Sequence, residues 1–201
     1  MIKAGIFDVG GVLHDWSDKN VAKEFNSALG IDRKTLKKAY DESIPDLVLG
    51  KINETEFWKI FRKSARNIKK KIPKDLLLRP LINYYKIHDD VLDIVKSLRK
   101  KDYRVIALSN SILSHANYER QMGIYGQFDF AVLSHEVRMK KPEPEIYKYA
   151  LERLGVKPEE AFFVDDTKEN VEVAERLGIH GILFKNVSLL SEELEKLGVK
   201  L

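Results

Sequence analysis

Four short stretches of this sequence carry side chains able to act together on a phosphoryl group. Asp8 closes the apolar run Ile2-Lys3-Ala4-Gly5-Ile6-Phe7. Ser109-Asn110-Ser111 follows Val105-Ile106-Ala107-Leu108, Lys140-Lys141-Pro142 lies beyond Phe130-Ala131-Val132-Leu133, and Asp165-Asp166 follows Ala161-Phe162-Phe163-Val164. Three carboxylates drawn together repel one another and hold their protons more tightly unless positive charge joins them. A hard divalent cation such as magnesium supplies it, taking carboxylate oxygens, a backbone carbonyl, water and substrate phosphate. The phosphoryl oxygens could then receive a hydrogen bond from Ser109 and charge from a lysine. A carboxylate left free to attack phosphorus points to covalent catalysis through an aspartyl phosphate.

These residues must be positioned by the elements around them. Each of the apolar runs is short and bounded by turn residues, as buried strands are, and Gly181-Ile182-Leu183-Phe184 makes a fifth. Helical patterns separate the later strands: from Asp89 or Asp90 through Leu98, from Ser114 to Met122, from Glu143 to Leu154 before Gly155, and from Thr167 to Leu177 before Gly178. Strict alternation implies parallel strands joined by right-handed crossovers. The expected fold is α/β, a doubly wound, Rossmann-like parallel sheet, and in such a sheet ligands bind beyond the carboxyl ends of the strands. Residues 16–86 contain no comparable strand and read as a helical insertion. Ser17 or Asp18 starts one helix that closes at Gly30, Asn53 with Glu56 makes a capping-box start for another, and Pro73 opens a third that Pro80 kinks or ends. Phe57, Trp58 and Phe61 recur at helical spacing and form its core.

Taken singly, each candidate has a plainer use. Asp8 before two glycines suits a turn; Ser109, Asn110, Asp165 and Asp166 are all good helix caps; Lys141 could be one more surface lysine, with Lys140 as the competing assignment and Pro142 favouring Lys141. Their order and spacing decide the matter. Phe7-Asp8-Val9-Gly10-Gly11-Val12-Leu13, Leu108-Ser109-Asn110, Lys141-Pro142-Glu143-Pro144-Glu145-Ile146-Tyr147 and Val164-Asp165-Asp166 with Asn170 and Ala174 resemble, in order, the four motifs of haloacid dehalogenase-like hydrolases. The resemblance covers nearly the whole chain. It implies an α/β core at 1–15 and 87–201 with a helical cap at 16–86, and a magnesium-dependent phosphatase acting on a small phosphorylated metabolite. Asp8, Ser109 and Lys141 are then catalytic, and Ser109, Asn110 and Lys141 hold the phosphoryl group. The metal falls to Asp8, the Gly10 carbonyl and Asp166, with Asp165 reaching it indirectly.

One position departs from the pattern. The family's phosphatases carry a second aspartate two residues after the nucleophile, as general acid and base, and here that residue is Gly10. Such a group contributes roughly 10²- to 10⁴-fold to rate. His14, just beyond the motif, is the candidate replacement, as imidazole is a common general acid and base. Gly10 also keeps other readings open. A 2-haloacid dehalogenase dispenses with that aspartate but needs no metal, against which the Asp165-Asp166 pair stands. A phosphonoacetaldehyde hydrolase-like enzyme would use a cap lysine, for which Lys51 is the candidate, and a non-catalytic relative would keep the fold to bind a phosphorylated ligand or partner protein.

Composition narrows the remaining classes. There is no cysteine and so no disulfide, and no apolar run approaches the roughly 18 residues of a membrane span. The N-terminus lacks the apolar stretch of a signal peptide, so a cytoplasmic location is expected, with no membrane partner. A net charge of +4 is too slight and dispersed to indicate nucleic-acid binding. Basic residues do gather between Lys51 and Asp75, where they read as a solvated helix face, or as a surface attracting an anionic substrate. Oligomeric state is left undetermined.

Overall fold

The apolar segments assemble into one open sheet. In the computed structural model, which describes residues 1–66 and 68–201, the strands are β1 (Ala4–Phe7), β2 (Arg104–Ser109), β3 (Phe130–Leu133), β4 (Ala161–Asp165) and β5 (His180–Leu183). They lie in the order β3-β2-β1-β4-β5, every pair parallel, with Phe7 level with Ala107 on one side and Val164 on the other. The winding reverses between β1 and β4. A crevice opens at such a reversal, outside the carboxyl ends of the strands.

Between β1 and β2 stand α1 (Asp18–Leu29), α2 (Arg33–Val48), α3 (Glu54–Ala65), α4 (Arg79–Tyr84) and α5 (Asp89–Lys100). The first four surround a hydrophobic cluster of their own that includes Phe25, Leu36, Leu47, Phe57, Phe61 and Leu77. Local chemistry sets their ends. Ser17 caps α1 by accepting the Lys19 N–H, and Asn53 and Glu56 form a reciprocal capping box at α3. The helix expected from Pro73 does not form: residues 74–78 are turns, and α4 begins at Arg79. Pro80 sits in the first turn of α4, where a missing N–H costs no helical hydrogen bond, so it neither kinks nor ends that helix.

The remaining helices are α6 (Leu113–Gln121), α7 (Ser134–Val137), α8 (Pro144–Leu154), α9 (Lys168–Arg176) and α10 (Val187–Lys196). Strand side chains alternate between two packed faces. Phe7, Val105, Phe162 and Val164 meet Val95 and Leu98 of α5 and Leu190 and Leu194 of α10, while Ile6, Ile106 and Phe163 meet Ile146, Tyr147 and Leu154 of α8 and Val173 of α9. The sheet is thus covered by helices on both sides.

Two chain segments connect the helical insertion to the sheet, and they run side by side. Asp15 N–H donates to the Lys86 carbonyl (3.0 Å), His88 N–H donates to that of Leu13 (2.8 Å), and the His88 ring spans the Val12 carbonyl (2.8 Å) and Asp15 Oδ1 (2.9 Å). A third contact ties the end of α2 to the sheet: the Ser134 hydroxyl accepts Ser111 N–H (3.0 Å) and donates to the Val48 carbonyl (2.8 Å). Among the described residues no helix is long and apolar enough to cross a membrane.

Candidate active site

The strand ends deliver the expected side chains to one place. Asp8 follows β1 and is 8% exposed; its Oδ1 accepts Val9 N–H (2.7 Å) and lies 2.7 Å from Lys141 Nζ. Its Oδ2 has no protein hydrogen-bond donor among the described residues. Ser109 ends β2, buried, with its hydroxyl likewise free of protein partners among them. Asp165 ends β4 fully buried, and Asp166 follows it at the surface of a cavity of about 410 Å³ that also meets Asp8, Gly10, Ser109 and Lys141. Lys141 is 3% exposed. Lys140, the competing assignment, does not line this cavity.

Lys141 is held from both ends. Its ammonium group bridges Asp8 Oδ1 and Asp165 Oδ2 (2.6 Å). Its backbone is gripped by the Asn110 amide, whose Oδ1 accepts Lys141 N–H and whose Nδ2 donates to the Lys141 carbonyl, both at 2.8 Å. Asn110, expected to hold substrate, lines this cavity, and its side chain is not wholly free there, since it also places the lysine. Nor does it cap α6, whose first turn has no side-chain cap. Asp165 is engaged as well, accepting from Lys141, from Thr167 N–H (2.8 Å) and from Asn170 Nδ2 (3.0 and 3.1 Å to its two oxygens).

Oxygens from Asp8, Asp165 and Asp166 all lie within 4.8 Å of one another. One lysine cannot offset three carboxylates, and the acids show it. Burial, with the charge of Asp165 nearby, raises Asp8 to about 7 against the opposing pull of Lys141; partial burial and Asp165 also push Asp166 upward. Asp8 and Asp165 hold the Lys141 ammonium above its usual range despite burial. This donor set could hold a divalent cation, which would favour the ionised form of each of these carboxylates.

Two adjacent glycines differ sharply here. Gly11 has φ +83°, and a Cβ built on it would lie 2.2 Å from Asp166 Oδ2. Only glycine allows that carboxylate to pass so close to the first loop. Gly10 is not in the left-handed region, and a Cβ there would make ordinary contact with Trp16 at 3.5 Å. A side chain at Gly10 is therefore sterically admissible.

His14, offered by the sequence as a replacement acid, lines the cavity but is 1% exposed, with both ring nitrogens engaged. Its Nδ1 lies 3.0 Å from the Asp15 carbonyl and its Nε2 3.0 Å from Glu119 Oε1, and the other oxygen of Glu119 accepts the Tyr125 hydroxyl. A carbonyl only accepts, so Nδ1 carries a proton and donates it to the Asp15 carbonyl. Glu119 was not anticipated. It lies on α6, a helix of polar composition, where nothing local marks it for burial.

Comparison with known proteins identifies the family. The haloacid dehalogenase-like hydrolase family matches residues 2–178. The chain is 30% identical to the phosphorylated carbohydrates phosphatase of Thermotoga maritima, over 90% of this chain and 84% of that protein. It is 27% identical to bifunctional epoxide hydrolase 2 of Rattus norvegicus over 97% of its own length, and spans less than half of that protein, 38%. Among solved structures, an HAD family enzyme of Bacteroides thetaiotaomicron in complex with magnesium and inorganic phosphate superposes with a TM-score of 0.77 at 27% identity, covering 92% of this chain and 95% of that one.

Proposed function

Because the chain belongs to the haloacid dehalogenase-like hydrolases, we propose that it is a magnesium-dependent phosphatase of small phosphorylated metabolites, working through an aspartyl phosphate on Asp8, with residues 16–86 as its cap. The observation that carries this reading is the convergence of Asp8, Ser109, Lys141 and Asp166 on one cavity, with an attacking oxygen and a donor hydroxyl both unengaged by protein among the described residues. The Bacteroides enzyme's complex with magnesium and phosphate supports the choice of ion and group.

Asp8 Oδ2 is the nucleophile. It forms a bond to phosphorus as the bond from phosphorus to the leaving oxygen breaks, and water then attacks the phosphoaspartate, releasing phosphate and regenerating the carboxylate. Lys141, fixed by Asn110 and Asp165, faces the charge that builds on the phosphoryl oxygens, and Ser109 donates a hydrogen bond to them. Asp8, the Gly10 carbonyl and Asp166 would hold the magnesium ion, with Asp165 acting from behind through Lys141; the ion supplies charge neutralisation and a template for the phosphate. Gly10 offers no side chain to protonate the leaving oxygen, so good leaving groups are favoured.

The test is hydrolysis of p-nitrophenyl phosphate and acetyl phosphate by the purified chain, with magnesium and with excess chelator. Magnesium-dependent phosphate release, lost in Asp8→Asn, is the expected result. Release of halide from a 2-haloacid at full rate in chelator would overturn it.

A further inference from the structure

Beyond the carboxylate cluster, the cavity continues toward the helical insertion, and its chemistry there changes. Trp16, Ser17 and Asp18 enter from the start of α1, Tyr40 from α2, Leu81 from α4 and His115 from α6. Among the described residues this outer wall contains no lysine or arginine. The one basic side chain of that kind among the described residues of the cavity is Lys141, whose charge is already divided between Asp8 and Asp165.

The polar groups of the wall are acceptors or neutral donors. Asp18 is an exposed carboxylate. His115 Nε2 lies 2.8 Å from the Leu77 carbonyl, to which it must donate, which leaves Nδ1 as the acceptor of a ring that burial keeps neutral. Burial and the nearby Asp18 also push the Tyr40 hydroxyl upward, so it stays a neutral donor. A second negative charge on the substrate would meet Asp18 here; Lys19, Arg33 and Lys37 share an adjoining groove with Asp18 and Tyr40 but do not line this cavity.

Resting on the phosphatase reading, we propose that the substrate's leaving group is compact, offers hydroxyl or ammonium donors and carries no second anionic group, with Asp18 as the residue that enforces this. The phosphate end of the cavity consumes the available positive charge, and the other end is built to receive hydrogen-bond donors. Trp16 and Tyr40 add ring surface against which the carbon skeleton, or an ammonium group, can lie.

Two substrate pairs matched in size isolate the charge. Ethanolamine phosphate is compared with phosphoglycolate, and glycerol 3-phosphate with 3-phosphoglycerate, with p-nitrophenyl phosphate as reference, all in magnesium. The member of each pair that lacks a carboxylate should have a kcat/KM larger by about tenfold or more, the scale of one uncompensated charge contact. In Asp18→Lys the two ratios should fall by a similar factor or invert, while turnover of the reference substrate shows that the chemistry survives. Asp18 is exposed and Ser17 remains as cap, so this variant keeps its fold, which circular dichroism verifies. Ratios near one in the wild type, ratios unchanged in Asp18→Lys while the reference is hydrolysed, or hydrolysis of the reference with none of the four alkyl esters, would overturn the leaving-group proposal alone. Failure of every phosphate ester, the reference included, would overturn it together with the phosphatase reading.

Discussion

Lys141 Nζ lies 2.7 Å from Asp8 Oδ1, and the contact is buried on both sides. It restrains one oxygen of the carboxylate and leaves the other available. Replacing Lys141 by alanine strands Asp8 and Asp165 without a cation, a loss of up to about 3–5 kcal/mol in stability for a broken buried pair. The turnover of whatever protein folds should drop by roughly 10²- to 10³-fold. Lys140→Ala should match wild type in both. Chemical denaturation and steady-state kinetics on the two variants check the contrast; equal damage from both would remove Lys141 from its assigned place.

Gly11→Ala should be far more harmful than Gly10→Ala. The first substitution drives a methyl group to 2.2 Å from Asp166 Oδ2 at a backbone φ of +83°, and the second meets only the Trp16 side chain at ordinary distance. The expected signature is a rise in the magnesium concentration needed for half-maximal activity in Gly11→Ala alone. Titration of both variants with magnesium reads it directly, and an unshifted requirement in Gly11→Ala would detach Asp166 from the metal.

Gly10→Asp tests the missing acid. The backbone there is not left-handed and a Cβ makes only ordinary contacts with Trp16 and His14, so the first carbon of the added side chain fits without strain. Turnover of an alkyl phosphate should rise, by at most the roughly 10²- to 10⁴-fold expected of a general acid and base, with a smaller change on an aryl phosphate whose leaving group needs no proton. Wild-type rates already equal on both esters, with no gain in the variant, would show that another group delivers the proton.

The acid cluster also makes a prediction about pH. Asp8 is raised from 3.8 to about 7 in the metal-free protein, so between those values the folded state holds a proton that the unfolded chain has released. Metal-free stability contributed by Asp8 is therefore full below 3.8 and falls as pH rises toward 7. A cation must displace the same proton, so magnesium should raise the melting temperature more at pH 8 than at pH 6. Asp8→Asn should flatten both trends. Thermal melts at the two pH values, with and without magnesium, decide it; an equal shift at both would mean the ion does not engage Asp8.

The parts of this architecture readable from sequence are those set by local chemistry. Apolar runs bounded by turn residues marked every strand, and through them the positions of Asp8, Ser109 and Asp165-Asp166. Ser17, Asn53 and Glu56 marked helix starts because a cap needs only its own neighbours. Pro73 and Pro80 misled for the opposite reason: proline in a first turn and proline that breaks a helix look alike until the preceding turn is known. The contacts that refine the site were hidden because they join distant segments. Asn110 grips Lys141 from another strand end, and Glu119 reaches His14 from α6. Neither pairing leaves any trace in spacing.

The central position of β1 has a consequence for how the protein is made. β1 leaves the ribosome before either of its neighbours exists, since β2 follows only after five helices and β4 comes later still. Its four residues are fully buried in the finished sheet, so until then they can be shielded only by transient collapse or by a chaperone. Meanwhile α1 to α4 can gather their own cluster of Phe25, Phe57 and Phe61 from neighbouring sequence. The helical insertion thus has the means to mature while Asp8 waits. Since Asp8 gains Lys141 and Asp165 only when the second half of the chain closes around it, no translation intermediate that ends before β4 can hold the assembled site.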